Sequence, residues 1–351
     1  MTAPPLVLQL SNDVRDDGPD NRFVRAFAEL AAEGLLRHRY LAPAVTPVDL
    51  RELAEAEPPA LVLVQSPQSR SWTDRQIDEL LGALGGPPVL AWEGDAWGGP
   101  LKRPRESNLR WLRRSSAIHS VAVGAQADLL HRATGVPVHY VPHAAPLRFC
   151  ADGEDPGPTG SRVAFLGTRR TFLGVELLPD DGERLALVRL LARTEGCELA
   201  VYGRGWGRKP YAYGGVPFLG QLAVMRDGLI TVGWDRYRHH TGYASDRLAI
   251  SLCSGRVHVT SRQPGLDWLP GPEDGLHLSG TPREAADTVR QLLTEGPDEL
   301  LARGARARAW VRAHLTETHV LRHILAPRLG LPVPSVPWAT TALAPSIRQV
   351  S

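Results

Sequence analysis

A short loop in the first half of the chain carries two carboxylates between two tryptophans. It begins with Trp92 and Glu93, continues through Asp95 and Trp97, and runs into a pair of glycines. A tryptophan face suits a sugar or an aromatic ring, and a carboxylate beside such a ligand can accept a proton from a hydroxyl. A tight turn with a capping aspartate has the same composition. We name Asp95 as the first candidate base and Glu93 as the second. Trp92 and Trp97 are candidate contacts to the substrate whose hydroxyl loses the proton, here called the acceptor.

Two arginine-bearing loops in the second half each follow a short apolar run. The first contains Gly167, Thr168, Arg169 and Arg170, and the second has Arg204 between two glycines. Glycine allows close approach of a ligand, and the guanidinium of arginine donates paired hydrogen bonds to phosphate oxygens. In an arginine-rich chain, such loops can also be simply solvated. The first loop is the stronger candidate anion site, and the residues alone do not decide between Arg169 and Arg170.

A third polar stretch, Thr241–Asp246, leads into a predicted helix. The free amides at a helix start can bind an anion, and Ser245 or Asp246 can also cap the helix. The doublet His239-His240 lies just before this stretch and suggests a sugar or phosphate contact, although single histidines are commonly surface or core residues. No His, Cys or Asp set with metal-ligand spacing accompanies it. The candidate contacts here are His240, Tyr243, Ser245, Asp246 and Arg247.

Two loops in the first half share a polar composition that is also typical of ordinary turns. Ser11 and Asn12 are candidate acceptor contacts, and Asp13 after them is the third candidate base. The segment Gln65–Gln68 follows the next apolar run and has the same ambiguity.

The pattern along the chain predicts the elements that position these loops. Short, wholly apolar runs alternate with amphipathic stretches, which favours parallel sheets covered by helices on both faces. Two such series predict an α/β protein with two Rossmann-like αβα domains facing a cleft, and ligands at the carboxyl ends of the strands. The predicted strands are Leu6–Leu10, Ala60–Val64, Pro88–Trp92, Ile118–Val123, Val138–Val141, Val163–Leu166, Leu199–Tyr202, Val216–Leu219, Leu229–Val232 and Val257–Thr260. The predicted helices are Asn21–Leu36, Asp74–Leu84, Ala125–Thr134, Glu183–Arg193, Ser245–Ser254, Pro282–Leu293 and Asp298–Leu325.

A polar segment rich in proline and glycine, Ala151–Gly160, interrupts the pattern and predicts a linker. The expected organisation is a first domain over 1–150, the linker over 151–160 and a second domain over 161–320. The segment 321–351 is expected to return to the first domain.

Composition excludes several classes of protein. The chain has 351 residues, 43% hydrophobic, and a net charge of +2, which is typical of a well-cored globular protein and gives no support to nucleic-acid binding. The basic helix Arg303–Arg322 is interpreted as a solvated face. The three cysteines are far apart and indicate neither a disulfide framework nor a zinc site. No run is long enough for a membrane helix, and the start lacks the basic region of a signal peptide, so we predict a cytoplasmic protein.

The segment Thr241–Thr260 resembles the second domain of GT-B glycosyltransferases, in particular the CgeB-like (spore-maturation-type) family. There, an arginine (here Arg247) opens a helix that ends in a small residue plus glycine, and a strand ending in threonine follows. Further blocks match in the same order, over most of 160–325 and by pattern alone in the first half. These blocks are Val141–His143, Val163–Thr168, Val201–Trp206, Val216–Gly220, Gln263–Leu269, Pro272–Gly275 and Thr281–Leu293.

The resemblance implies transfer of a sugar from a nucleotide-diphosphate sugar, the donor, to a small-molecule or glycan acceptor. The donor would bind the second domain and the acceptor the first. GT-B enzymes generally hold no catalytic metal, so arginines and helix starts must stabilise the departing diphosphate. This role would fall to Arg169, Arg170, Arg204 and Arg247, with no cofactor beyond the donor. The arginine-rich composition fits a bacterial GC-rich genome and a specialised-metabolite or surface-glycan pathway.

The chain departs from the family pattern at one pair of positions. Many retaining members carry two glutamates eight residues apart, and Gly242 and Ile250 stand at the matching positions. Ile250 cannot accept a hydrogen bond from a ribose hydroxyl, so either Asp246 does so or the donor is held differently. The departure leaves open a retaining or inverting reaction, and it also allows a catalytically silent nucleotide-binding subunit. A nucleotide-sugar epimerase is a third alternative. Nucleotide, sugar, acceptor and oligomeric state are not determined by the sequence.

Overall fold

The structure, a computed structural model, describes residues 3–11, 23–41, 47–65, 72–97, 102–151, 157–158, 163–172, 175–176 and 180–340. The chain divides into two compact units. The first comprises Met1–Pro142, Glu317–Ser335 and Ala339–Ser351, and the second comprises His143–Thr316 and Val336–Trp338. The division at Pro142 precedes the polar segment 151–160 that the sequence analysis takes as the linker.

The first unit is a six-stranded parallel sheet in the order β2-β1-β3-β4-β5-β6. Strands β1, β3 and β4 are buried along their whole length, as expected of apolar strands covered on both faces. The strands are β1 Leu6–Ser11, β2 Arg37–Leu41, β3 Leu61–Gln65, β4 Val89–Glu93, β5 Ala117–Ser120 and β6 Val138–Tyr140. The helices are α1 Val24–Ala32, α2 Pro47–Ala56, α3 Asp74–Ala83, α4 Glu106–Leu112, α5 Ala125–Thr134 and, from the end of the chain, α12 Glu317–Leu329.

Helix α12 packs on α1 inside this unit. Leu321 and Ile324 are fully buried, Thr318 Oγ1 donates a hydrogen bond of 2.6 Å to Glu29, and Arg322 is paired with Glu33. The end of the chain thus supplies part of the first unit's core.

The second unit is another six-stranded parallel sheet, in the order β11-β10-β7-β12-β13-β14. Its core surrounds the buried residues Val163, Phe165, Val201 and Val259. The strands are β7 Val163–Leu166, β8 Thr171–Phe172, β9 Val175–Glu176, β10 Leu199–Tyr202, β11 Ala212–Gly214, β12 Ile230–Val232, β13 Val257–Ser261 and β14 Leu276–Ser279, with β8 and β9 forming a small antiparallel pair. The helices are α6 Leu147–Cys150, α7 Asp181–Leu191, α8 Gln221–Arg226, α9 Asp246–Cys253, α10 Pro282–Leu292 and α11 Pro297–His314.

Two of the predicted elements take a different form in the structure. The segment Val216–Leu219 is not a strand: a 3₁₀ turn begins at Phe218, and the edge position belongs to β11. Pro217 has no N–H to donate to a neighbouring strand, which explains the difference. The single helix predicted over Asp298–Leu325 is two helices, because the chain extends at Leu315 and Thr316, where Thr316 pairs with Ala145.

None of the helices in the described ranges is both long enough and apolar enough to cross a bilayer.

Candidate active site

A cavity of roughly 700 Å³ opens on the second unit beside the carboxyl ends of β7 and β10. These strands are neighbours in register, with Leu166 opposite Tyr202, so the loops that follow them meet at one edge of the sheet. The cavity brings together six of the predicted donor residues: Gly167, Thr168, Arg169, Arg170, Arg204 and Arg247. It also includes Gly203 and Gly205, the glycines that flank Arg204. Five further lining residues were not expected from the sequence: Leu166, Thr171, Gly215, Val216 and Gln221.

The two arginine-bearing loops are joined by their backbones. The Gly167 N–H donates to Tyr202 O at 2.8 Å, and the Arg169 N–H donates to Arg204 O at 2.9 Å. Gly203 has φ +137°, and a Cβ there would lie 2.2 Å from Gly167 O. Only glycine permits this approach. The glycine at 203 therefore serves the contact between loops, where the sequence suggested approach of a ligand.

Two arginines hold the first loop from the inside of the unit. Arg184 and Arg236 both donate to the carbonyl oxygen of Thr168, Arg184 through Nη1 at 2.9 Å. Arg236 is also paired with the fully buried Asp181 at 2.7 Å. Burial lowers the pKa of Arg184 to about 9, and the positive charges of Arg236 and Arg247 add to this effect. No local pattern in the sequence indicates this clamp, because its members come from distant segments.

The contacts of the cavity arginines distinguish Arg169 from Arg170. Arg169 is held by Glu176, through Nε at 2.8 Å and Nη2 at 2.7 Å. In the part of the chain that the structure describes, Arg170, Arg204 and Arg247 have no side-chain hydrogen bond or ion pair, and no carboxylate lines the cavity. A cavity with these three guanidinium groups is a candidate site for a multiply charged anion.

The N-terminal end of α9 contributes one arginine to the same cavity. Ser245 is the N-cap residue, but its side chain makes no capping hydrogen bond. Its N–H donates to the buried Asp235 at 3.2 Å, and Gln263 Nε2 donates to the same carboxylate at 3.0 Å. Arg247, in the first turn, reaches the cavity, whereas Ser245 and Asp246 do not line it.

His240 and Tyr243 belong to an aromatic cluster in the turn before α9. The His240 ring lies 5.3 Å from that of Tyr237 and 6.5 Å from that of Tyr243, and His143 lies 6.1 Å from Tyr243. Neither His240 nor Tyr243 lines the cavity. Ile250, at the family's glutamate position, is fully buried in the core, so it cannot contact a ribose.

In the first unit, Glu93 anchors the loop that carries Asp95. It is fully buried at the end of β4, where Oε1 accepts from the Asp95 N–H at 3.0 Å and Oε2 accepts from Asn108 Nδ2 at 2.5 Å. The Asp95 carboxylate is 42% exposed and lies 2.9 Å from Lys102 Nζ. Of the two carboxylates, Asp95 is the one that a substrate can reach.

Gln126 fixes the same loop from α5, and the sequence analysis did not select it. Its Nε2 donates to Asp95 O at 2.9 Å and to Ser120 Oγ at 3.0 Å, and its Oε1 accepts from the Trp97 N–H at 2.8 Å. The residue is only 1% exposed. A buried glutamine that bonds Asp95 O and the Trp97 N–H, and ties them to Ser120 at the end of β5, is a positioning residue for the Asp95 loop.

The tryptophans of this loop face the core. Trp92 and Trp97 are each 5% exposed. Gly94 lies against the Trp92 ring, where a Cβ would come within 2.2 Å, and Trp97 packs with Leu112 and Leu130. The ring faces that were expected to stack on an acceptor are therefore covered by the protein itself.

The remaining acceptor candidates are only partly described. Ser11 is buried at the end of β1, opposite Gln65 at the end of β3. Asn12 and Asp13 lie outside the described residues, as does the segment 66–70. The roles predicted for all these residues stay predictions.

We expect Gln126→Ala to destabilise the first unit by about 1–3 kcal/mol, because it leaves buried backbone groups of the Asp95 loop without partners. Urea unfolding measures this loss. Arg132→Ala, an exposed change on the same helix, is the matched control and should stay within about 0.5 kcal/mol of the wild type. Equal stability of the two variants would contradict the anchoring role of Gln126.

The comparisons with known proteins agree with this architecture. Residues 183–326 match the model of a family described as glycosyl transferase-like. A search of curated protein sequences gave no significant match.

No group of three or more His, Cys, Asp or Glu side chains suited to a metal ion occurs within the described ranges.

Three solved structures show the shared fold. Anabaena HepE (Alr3699), in complex with UDP and glucose, has a TM-score of 0.59 at 11% identity, over 93% of this chain and 100% of that one. T4 phage BGT, in complex with its UDP-glucose substrate, has a TM-score of 0.57 at 10% identity over the same shares. A glycosyltransferase from Rickettsia africae has a TM-score of 0.53 at 11% identity, over 93% of this chain and 98% of that one. The predicted GT-B fold and the glycosyltransferase assignment are confirmed, while the CgeB-like subfamily stays a prediction.

Proposed function

We propose that this glycosyltransferase takes its sugar from a UDP-sugar, whose diphosphate binds in the arginine-lined cavity of the second unit. The observation that carries the proposal is a cavity lined by three guanidinium groups, those of Arg170, Arg204 and Arg247, none of which has a side-chain partner among the described residues. UDP is the nucleotide bound by the HepE and BGT structures of the same fold. The subfamily, the cytoplasmic location and the bacterial pathway remain predictions.

The cavity can stabilise the leaving group of sugar transfer. As the bond between the sugar and the diphosphate breaks, negative charge develops on the phosphate oxygens, and fixed positive charge there lowers the barrier. The clamp of Arg184 and Arg236 on Thr168 holds the first loop in place before the donor arrives, so little reorganisation accompanies binding. In this proposal arginines supply the charge that other enzymes take from a metal ion.

The first unit would supply the acceptor site. Asp95, exposed and fixed by Glu93 and Gln126, is the group we propose to take the acceptor proton. Lys102 Nζ, 2.9 Å from the Asp95 carboxylate, forms an ion pair with it and helps to orient the group.

A silent nucleotide-binding subunit is the alternative, favoured by the buried Ile250 at the family's ribose-binding position. Release of UDP from UDP-glucose in the presence of hydroxylated acceptors distinguishes the two, because a silent subunit binds UDP without turning the donor over.

We expect Arg170→Ala and Arg247→Ala each to weaken UDP binding about 10- to 100-fold. Each removes a charge-assisted hydrogen bond to phosphate, worth about 1.5–3 kcal/mol. Calorimetric titration with UDP, GDP, ADP and dTDP measures the affinity and identifies the preferred nucleotide.

The controls for this titration come from the same unit. Arg290→Ala removes an exposed arginine that pairs with Asp287 on α10, and should leave UDP affinity unchanged. Arg169→Ala should weaken binding less than Arg170→Ala, since Arg169 is already held by Glu176. Wild-type affinity in folded Arg170→Ala and Arg247→Ala proteins would reject the site.

A further inference from the structure

Two thiols that are 103 residues apart in sequence lie in contact within the second unit. Cys150 ends α6 and Cys253 ends α9, and their Sγ atoms are 3.1 Å apart. Both side chains are buried, and both are free thiols. The third cysteine, Cys197, is half-buried in the loop before β10. The sequence suggested no cysteine pair, because nothing local links positions 150 and 253.

We propose that Cys150 and Cys253 form a dithiol modification site that a peroxide oxidises to a reversible disulfide. In the first step one thiol attacks the peroxide, giving a sulfenic acid and water. In the second step the other thiol attacks that sulfur, forming the S–S bond and releasing a second water. Two thiols and one hydrogen peroxide thus give one disulfide and two waters, and a dithiol reductant reverses the change.

The surroundings of the pair favour a dithiol that is inert at rest. The hydrogen bond with Cys150, together with burial, raises the pKa of Cys253 well above its ordinary range, while the charges of Arg308 and Arg312 oppose the rise. Few thiolates are present in the reduced protein, so reaction should need a small oxidant at high concentration. A cavity of roughly 470 Å³ is lined by Gly255, two residues beyond Cys253 in the chain, and by Arg256 and Arg308 among others, and neither cysteine lines it.

A disulfide between these two positions would stabilise the segment that contains the arginine-rich cavity. Every residue that lines the arginine-rich cavity, from Leu166 to Arg247, lies between positions 150 and 253. A disulfide there would close that whole segment into one covalent ring and restrict its unfolded state. The oxidised protein should therefore keep the arginine-rich cavity folded under conditions that unfold the reduced protein. This inference does not depend on UDP being the ligand.

The test is a thiol count on the intact protein. Folded wild type is treated with hydrogen peroxide, quenched, denatured and titrated with a chromogenic thiol reagent. We expect the count to fall from three to one when Cys197 is spared, and peptide mapping to show Cys150 linked to Cys253 in one protein molecule. Reductant should restore all three thiols. The oxidised form should unfold on the order of 5–10 °C higher than the reduced form.

Variants separate the pair from the third cysteine. Cys197→Ala should still lose two thiols to one internal disulfide, whereas Cys150→Ala and Cys253→Ala should form none. The wild-type peptide map is decisive even if a variant fails to fold. The proposal is overturned if positions 150 and 253 stay reduced while Cys197 oxidises, if they end as separate sulfinic acids, or if they link only between molecules.

Discussion

Asp95→Asn is expected to lower the turnover of UDP-glucose about 10²–10⁴-fold, the usual contribution of a general base. The change preserves the size of the side chain and removes the group that would accept the acceptor proton. Donor binding should be unchanged, because the arginine cavity is built entirely from the second unit. Two quantities are measured for each protein. The rate of UDP release is followed in the presence of a panel of hydroxylated acceptors, and the affinity for UDP is determined by calorimetry.

Glu93→Gln is the companion variant. Because both Glu93 oxygens are engaged by Asp95 N–H and Asn108, we expect this change to lower the stability of the first unit more than Asp95→Asn does. Normal turnover in Asp95→Asn with loss in a folded Glu93→Gln would assign the base to Glu93. If both variants turn over normally, the loop is structural, and the base must be sought at Asp13 or in the donor phosphate.

Lowering the pH from 7 to 5 is expected to destabilise each unit by about 2 kcal/mol or more, through a buried histidine. Burial lowers the pKa of His119 in the first unit to about 3, helped by His139 and His323. Burial also lowers the pKa of His258 in the second unit to about 3. Because the ordinary value is 6.5, the unfolded chain takes up protons between pH 6.5 and about 3 while the folded chain does not.

This difference in protonation sets the direction in which the free energy of unfolding changes with pH. The stability contributed by the neutral, buried rings is present above pH 6.5 and is lost as the pH falls towards 3. At pH 5 each ring is 1.5 pH units below the unfolded pKa, which corresponds to about 2 kcal/mol. His38, whose pKa burial lowers to about 4, adds to the loss in the first unit.

Urea unfolding at pH 7 and pH 5 measures the effect. His119→Gln and His258→Gln should each reduce the pH dependence of the unit that contains it, since glutamine has no charge in this range. His239→Gln, at a side chain that is 71% exposed, is the matched control and should keep the wild-type difference. Equal wild-type stability at the two pH values would show that these rings are protonated in the folded protein.

The sequence by itself determined the fold class and which loops lie together beside the second sheet. Wholly apolar runs such as Ala60–Val64 and Val163–Leu166 are typical of strands buried on both faces, so their alternation with amphipathic stretches was enough to predict two parallel sheets. The carboxyl ends of such strands meet at one edge, which correctly brought the loops at Gly167 and Arg204 together. The strand β2 was missed because it lies at the sheet edge, where Arg37–Leu41 alternates between exposed and half-buried positions.

Only the tertiary structure decided what each side chain contacts. It paired Arg169 with Glu176 and placed Arg170 at the cavity, where no described side chain pairs with it. It also buried Trp92 and Trp97 and placed Gln126 in contact with the Asp95 loop. It also brought Cys150 to Cys253. The physical reason is that periodicity records whether a residue is buried, which is a local property. The partner of a charge, a ring or a thiol comes from a distant segment, and only the packed chain brings the two together.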